Sequence, residues 1–183
     1  MGCKNCVNEN SDNNSELITA NKIPSFFLKN KNSSFDEIKQ DILELINLKR
    51  KEYGVEPLIE NKEISEISQK YAEKISENEN LVNSNNQYNG ENLGESIFCY
   101  STLLDANGLI TRLCKNEKKY DFSHKEEIPS HFTQMIWKNS QSIGIGINRN
   151  NNSGHMFYIL NYYPSGNISG KYKENINKKR RAS

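Results

Sequence analysis

The sequence predicts an α/β fold, a three-layer α/β/α sandwich with a small antiparallel sheet between helices. Three observations predict it. The first half carries apolar residues at helical spacing, Ile38, Ile42, Leu45 and Ile46 and then Ile64, Ile67, Tyr71 and Ile75, with charged residues on the opposite faces. After Lys138 the period changes, and Ile143, Ile145 and Ile147 alternate with glycine and asparagine. The stretch Met156 to Tyr163 is rich in aromatic and β-branched residues. Helices on both sides of such a sheet are the economical way to bury these faces.

Residues 1–33 are Asn- and Ser-rich, broken by the apolar patch Phe26, Phe27 and Leu28, and read as a disordered tether. Ser34 followed by Glu37 is a capping box that starts the first helix, which Gly54 and Pro57 stop. Asn78 to Tyr88 is a polar connection after the second helix. Leu103 to Lys118 is expected to form a third helix with Leu104, Leu109 and Leu113 inward, weakened by Gly108. Pro129 and Ser130 precede a short fourth piece from His131 to Trp137. Two antiparallel strands follow, joined by a turn at Asn150 to Gly154. The folded domain is placed at 34–175 and a basic tail at 176–183.

Lysine and arginine total 24 against 23 acidic residues, so no overall field recruits nucleic acid, and none is expected as a partner. No apolar run approaches the length of a membrane span, and the polar opening does not resemble a secretory signal. Four cysteines, two of them at Cys3 and Cys6, do not make a disulfide framework; Cys99 and Cys114 read as buried reduced thiols. The Asn-x-Ser sequons at Asn13, Asn32, Asn151 and Asn167 are expected by chance in so Asn-rich a chain.

The opening Met-Gly-Cys-Lys-Asn-Cys carries an address. Removal of Met1 exposes Gly2 for myristoylation, with Cys3 the expected palmitoylation site and Cys6 a second candidate. A single myristoyl chain binds membranes with only about 10⁴ M⁻¹, so the second chain decides residence. Lys178, Lys179, Arg180 and Arg181 would add about 1 kcal/mol per charge near an anionic leaflet; the alternative is a solvated basic end. Arg180-Arg181-Ala182-Ser183 resembles a basophilic kinase site, where phosphate would weaken that attraction.

His131-Phe132-Thr133-Gln134-Met135-Ile136-Trp137-Lys138-Asn139-Ser140 is similar to the first signature of CAP proteins, the family of cysteine-rich secretory proteins, antigen 5 and pathogenesis-related 1. Tyr162-Tyr163-Pro164-Ser165-Gly166-Asn167-Ile168 resembles the second signature, and Gly90-Glu91-Asn92-Leu93 a third element. Asn47 and Arg50, followed by Gly54-Val55-Glu56-Pro57-Leu58, sit where the family's first helix and its exit loop would place them. The resemblance spans roughly 35–175. It is nearest to the intracellular, Golgi-associated pathogenesis-related branch, because Leu160 stands where secreted members carry a cysteine. It implies the CAP sandwich, cytosolic exposure at a Golgi, other endomembrane or plasma membrane, and a homodimer.

The resemblance also implies a cleft of two histidines and two acids, whose histidine pair can hold zinc. Carried over by position, these fall on Asn83, Glu91, Asn116 and His131, so two of the four are amides. One histidine and one carboxylate fall short of the three protein ligands of a catalytic zinc site, and no cofactor is expected. Glu117 neighbours Asn116, but a helical neighbour points about 100° away; His124 is the other candidate for recruitment. His131 then reads as a partly buried imidazole hydrogen-bonded in a polar cleft, and Trp137, Tyr162 and Tyr163 as core and cleft-wall aromatics. The expectation is a non-enzymatic, lipid-anchored protein that binds membrane lipid or protein partners. The alternatives are a cleft hydrolase, metal-dependent or with Ser96 or Cys99 as nucleophile and His131 as base, and an unconventionally secreted defence-type protein.

Overall fold

The structure is a computed structural model that describes residues 34–123 and 127–180. In chain order the elements are α1 (Phe35–Glu52), β1 (Ile59–Glu60), α2 (Lys62–Asn78), β2 (Gln87–Tyr88), β3 (Glu91–Asn92), β4 (Gly94–Tyr100) and α3 (Ala106–Leu113). A 3₁₀ turn at Glu117–Lys119 precedes α4 (His131–Met135), β5 (Ser142–Arg149), β6 (Met156–Tyr163) and α5 (Tyr172–Asn175). The capping box at Ser34 forms as expected, with the Ser34 hydroxyl accepting from the Glu37 amide at 3.3 Å and the Ser34 amide donating to the Glu37 carboxylate at 2.9 Å. The third helix is shorter than expected. Asp105 caps it by accepting from the Gly108 amide at 2.8 Å, which sets the start past Leu103, and the chain tightens into the 3₁₀ turn after Cys114.

The main sheet has the order β1-β5-β6-β4. The expected hairpin of β5 and β6 is present, with Ile145 opposite Leu160 and Ile147 opposite Tyr158. The sheet is mixed rather than wholly antiparallel, because the two-residue β1 pairs in parallel with β5. Strand β4 pairs antiparallel with β6 and is absent from the expectation, which contained only two strands. Its sequence shows no polar and apolar alternation because both of its faces are covered: Ser96, Phe98 and Cys99 are all buried.

The two faces of the sheet carry separate cores. Ile42, Ile46, Leu109, Phe132, Ile145 and Leu160 belong to one, built from α1, α3 and α4; Ala72, Ile75, Phe157 and Ile159 belong to the other, under α2. Each fully buried Ile or Phe contributes about 1.5–3 kcal/mol. The glycines that alternate through β5 face α2. A Cβ at Gly144 or Gly146 would lie 2.3 Å from the α2 backbone at Ile64 or Ser68, so the absence of side chains sets how closely helix and sheet pack. In that contact the Ser68 hydroxyl donates to Ile64 or Gly144 carbonyls, at 2.8 and 3.1 Å.

Arg50 ties the first helix to the rest. It is fully buried, and its guanidinium donates to the carbonyls of Glu56, Met135, Trp137 and Ser140 at 2.7–3.0 Å. Burial lowers its pKa to about 10, which leaves it charged at neutral pH. Asn47 closes the exit loop by exchanging two hydrogen bonds with the Leu58 backbone, at 2.7 and 3.0 Å. Ile176 is buried in the core, so the folded unit runs past the boundary expected at 175. Lys179 pairs with Glu52 at 2.7 Å, the Arg180 amide donates to the Glu52 carbonyl at 2.8 Å, and the Arg180 side chain lies beside Gly54. Among the described residues no helix is long and apolar enough to cross a membrane.

Candidate functional site

Helix α4 is only five residues long, and its position is secured from outside. Ser130 and Thr133 form a capping box, and the Thr133 hydroxyl donates to the Asn167 side chain at 2.6 Å. Asn167 adopts a left-handed φ of 56° and donates back to the Ser130 carbonyl at 3.1 Å. Gln134 accepts from the Gly166 amide at 3.0 Å, and a side chain at Gly94 or Gly166 would collide with it. The two signature segments are thereby locked together, and His131 at the head of α4 is aimed at β4.

The His131 Nδ1 lies 3.0 Å from the Ser96 hydroxyl, and its ring packs against Phe98 at 4.5 Å between centroids. Phe98 stacks in turn on Tyr100, and the Arg112 guanidinium lies over the Tyr100 ring at 5.5 Å. These residues, with Leu113, Lys115 and Asn116, line a pocket of about 230 Å³. Part of His131 reaches solvent, yet its contact side is shut off from water, and that desolvation lowers its pKa below the usual imidazole value. Beneath the pocket Ser96 is fully buried, and the buried Tyr162 hydroxyl has no hydrogen-bond partner of good geometry. Burial pushes the Tyr162 phenol well up, although the nearby Ser96 hydroxyl and Arg50 act the other way.

His131 and Asn116 share the first pocket, whereas Asn83 lines a separate one of about 260 Å³ with Ser84, Glu95 and Gln134. Glu91 stands exposed on the β2–β3 hairpin. Glu117 does not substitute for Asn116: it accepts from the Tyr53 hydroxyl at 2.6 Å and pairs with Lys49 at 3.1 Å, on the side facing α1. With one imidazole, two amides and a remote carboxylate, the residues do not fit a zinc ion. Among the described residues no group of three or more His, Cys, Asp or Glu could hold a metal.

Several expectations are corrected here. Cys99 is buried but disulfide-bonded, not a reduced thiol, and it packs with Phe157 and Ile159 on the α2 side of the sheet, away from Ser96. It therefore cannot attack a substrate beside His131. Cys114 is a free thiol, as expected, with its pKa pushed up to about 12 by burial. Trp137 and Tyr162 are core residues, and Tyr163 packs edge-on to Tyr88 at 5.1 Å. Of the basic tail, Lys179 is engaged in ion pairs and Arg180 is docked by its backbone. Gly2, Cys3, Cys6, His124 and Arg181 lie outside the described residues. The sequence reading missed Arg112 and Lys115 as pocket residues and Glu95, whose carboxylate accepts from the Ser84 amide at 2.9 Å and the Ser84 hydroxyl at 2.5 Å. In the helix expected over Leu103 to Lys118, Arg112 stands four residues before Asn116 on the same face, a spacing that pointed to Arg112.

Residues 43–162 match the CAP family, described as the cysteine-rich secretory protein family. The chain belongs to the CAP family. Pathogenesis-related protein 1C of Nicotiana tabacum is 34% identical over 139 residues, 73% of this chain and 79% of that protein. The human Golgi-associated plant pathogenesis-related protein 1 is 27% identical over 148 residues, 79% of this chain and 95% of that protein. The crystal structure of NaASP2 with Zn²⁺ superposes with a TM-score of 0.58 at 19% identity, covering 82% of this chain and 90% of that one. That likeness establishes the CAP fold, in agreement with the expected sandwich.

Proposed function

We propose that this CAP-domain protein is a non-enzymatic recognition module, anchored by N-terminal acylation to the cytosolic face of a membrane, whose cleft binds a ligand without cleaving it. What supports the recognition half is the chemistry of the four carried-over positions: Asn83 and Asn116 are amides, so Glu91 and His131 leave one carboxylate and one imidazole where a catalytic zinc site takes three protein ligands. The anchor half is supported by Gly2 and Cys3 in the sequence and by the likeness to a relative that is Golgi-associated by name. The tail's share of membrane attraction rests on Lys178, Arg180 and Arg181, because Lys179 is paired with Glu52 and Glu117.

Fractionation of wild type beside Gly2→Ala and Cys3→Ser tests the anchor, with both variants expected to leave the membrane pellet. If both pellet as wild type does, the anchor reading fails. A non-reducing peptide map adds a second arm, since a thiol held in a disulfide carries no thioester. A map joining Cys99 to Cys3 would exclude that residue as the palmitoylation site.

A hydrolase is the second reading, and the 3.0 Å contact of His131 with Ser96 is the observation in its favour. Two features oppose it. Ser96 is fully buried, and among the described residues no carboxylate hydrogen-bonds His131 to orient it as a base. Hydrolysis by purified protein that Ser96→Ala and His131→Ala each abolish would replace the proposal. The defence-type reading gains nothing from the sequon at Asn167, whose amide is engaged by Ser130 and Thr133.

A further inference from the structure

The basic tail does not leave the fold where the sequence places its start. Ile176 is buried in the core, and the Asn175 side chain accepts from the Asn139 amide at 3.0 Å, which roots the segment that follows. From that root the chain crosses to the C-terminal end of α1. The Lys179 ammonium lies 2.7 Å from the Glu52 carboxylate and 3.8 Å from Glu117, and the Arg180 amide donates to the Glu52 carbonyl at 2.8 Å. The Arg180 guanidinium rests on Gly54, where a side chain would collide with it. Lys49, more deeply set, holds the same two carboxylates at 3.1 Å from within the domain. A helix C-terminus attracts cations because its last carbonyls carry partial negative charge, and here Glu52 and Glu117 add to that attraction.

We propose that residues 177–180 form a releasable strap with Glu52 as its catch, and that an anionic bilayer competes with Glu52 for Lys179. Docked, the strap keeps Lys179 within the domain; released, it adds that charge to the tail. The catch has the modest strength such a competition needs. The side chains of Lys179 and Glu52 are 53% and 39% exposed, so their pair favours the docked tail only about threefold. A lysine at an anionic leaflet gains about fivefold in binding, and less where anionic lipid is sparse. Release therefore follows the charge density of the membrane. This regulation presupposes the attraction of the tail to an anionic leaflet and is independent of the acyl anchor and of the cleft.

The test is cosedimentation of the full-length, non-acylated chain with phosphatidylcholine vesicles carrying about 30% phosphatidylserine. Glu52→Gln should bind about two- to threefold more tightly than Glu66→Gln, which removes the same charge from α2 on the opposite face of the sheet. Lys179→Gln should weaken binding about twofold in the wild-type chain and about fivefold in the Glu52→Gln background, where the lysine is released beforehand. Tryptic removal of the tail, followed by mass spectrometry, reads the strap with no membrane present. It should run about threefold faster in Glu52→Gln, because cleavage follows the undocked fraction. Equal binding by Glu52→Gln and Glu66→Gln, or equal tail cleavage in Glu52→Gln and wild type, overturns the strap. If Lys178→Gln then binds as wild type does, the attraction of the tail to the leaflet fails as well. If Lys178→Gln binds more weakly, that attraction stands and the strap alone fails.

Discussion

Arg50 and His131 are polar groups set into the same helical layer, and the fold treats them in opposite ways. The Arg50 guanidinium is fully buried and meets four carbonyls. His131 meets one hydroxyl, faces a pocket, and stands above a Tyr162 hydroxyl with no partner. A polar group whose every hydrogen bond is made within the chain holds structure together. A polar group with capacity left over beside a cavity is available to a ligand. On this contrast the first region is a structural tie, and the second keeps the hydrogen-bonding capacity that the proposed recognition role requires.

The sharpest way to break the comparison is at the tie. Arg50→Met leaves the buried Met135 and Ser140 carbonyls and the half-buried Glu56 carbonyl without the guanidinium, with Trp137 keeping only the Ser140 amide, and should cost about 4 kcal/mol in urea denaturation. A loss below about 1 kcal/mol would mean that water replaces the guanidinium. Next in size is Gly146→Ala, which forces α2 away from β5 because the new Cβ meets the Ser68 backbone. About 2–3 kcal/mol is expected, from the same denaturation midpoints.

An alkaline titration probes the side of the first helix that faces Glu117. Burial raises the Cys114 thiol from its ordinary 9.0 to about 12, and burial together with Glu117 also raises the Tyr53 phenol. Both groups ionise more readily in the unfolded chain. Their contribution is therefore intact below pH 9 and is lost as pH rises toward 12. Thermal melts across that window should fall, and less so for Cys114→Ala; the folded protein should also resist alkylation at pH 8 until it is denatured. The smallest effect belongs to the cleft. Tyr162→Phe removes a buried hydroxyl that lacks a partner, so stability should be unchanged or higher by up to about 1 kcal/mol. A clear loss would show that Tyr162 is satisfied and would weaken the contrast.

The sequence by itself determined α1, α2 and the β5–β6 hairpin, because the period of apolar residues and the cap at Ser34 act over a few residues. The motifs that carry the family were legible for the same reason, being contiguous. Tertiary structure alone decided the rest. Strand β4 has no alternation because both faces are covered, and its pairing with β6 spans some sixty residues of chain. Opposite faces of that strand separate Ser96 from Cys99, which linear proximity had joined as rival nucleophiles. Glu117 turned toward Lys49 and Tyr53, Asn83 fell into a different pocket from His131, and Lys179 folded back onto Glu52. In each case the outcome depends on which distant surface offers a partner for a polar group, and local periodicity carries no record of that.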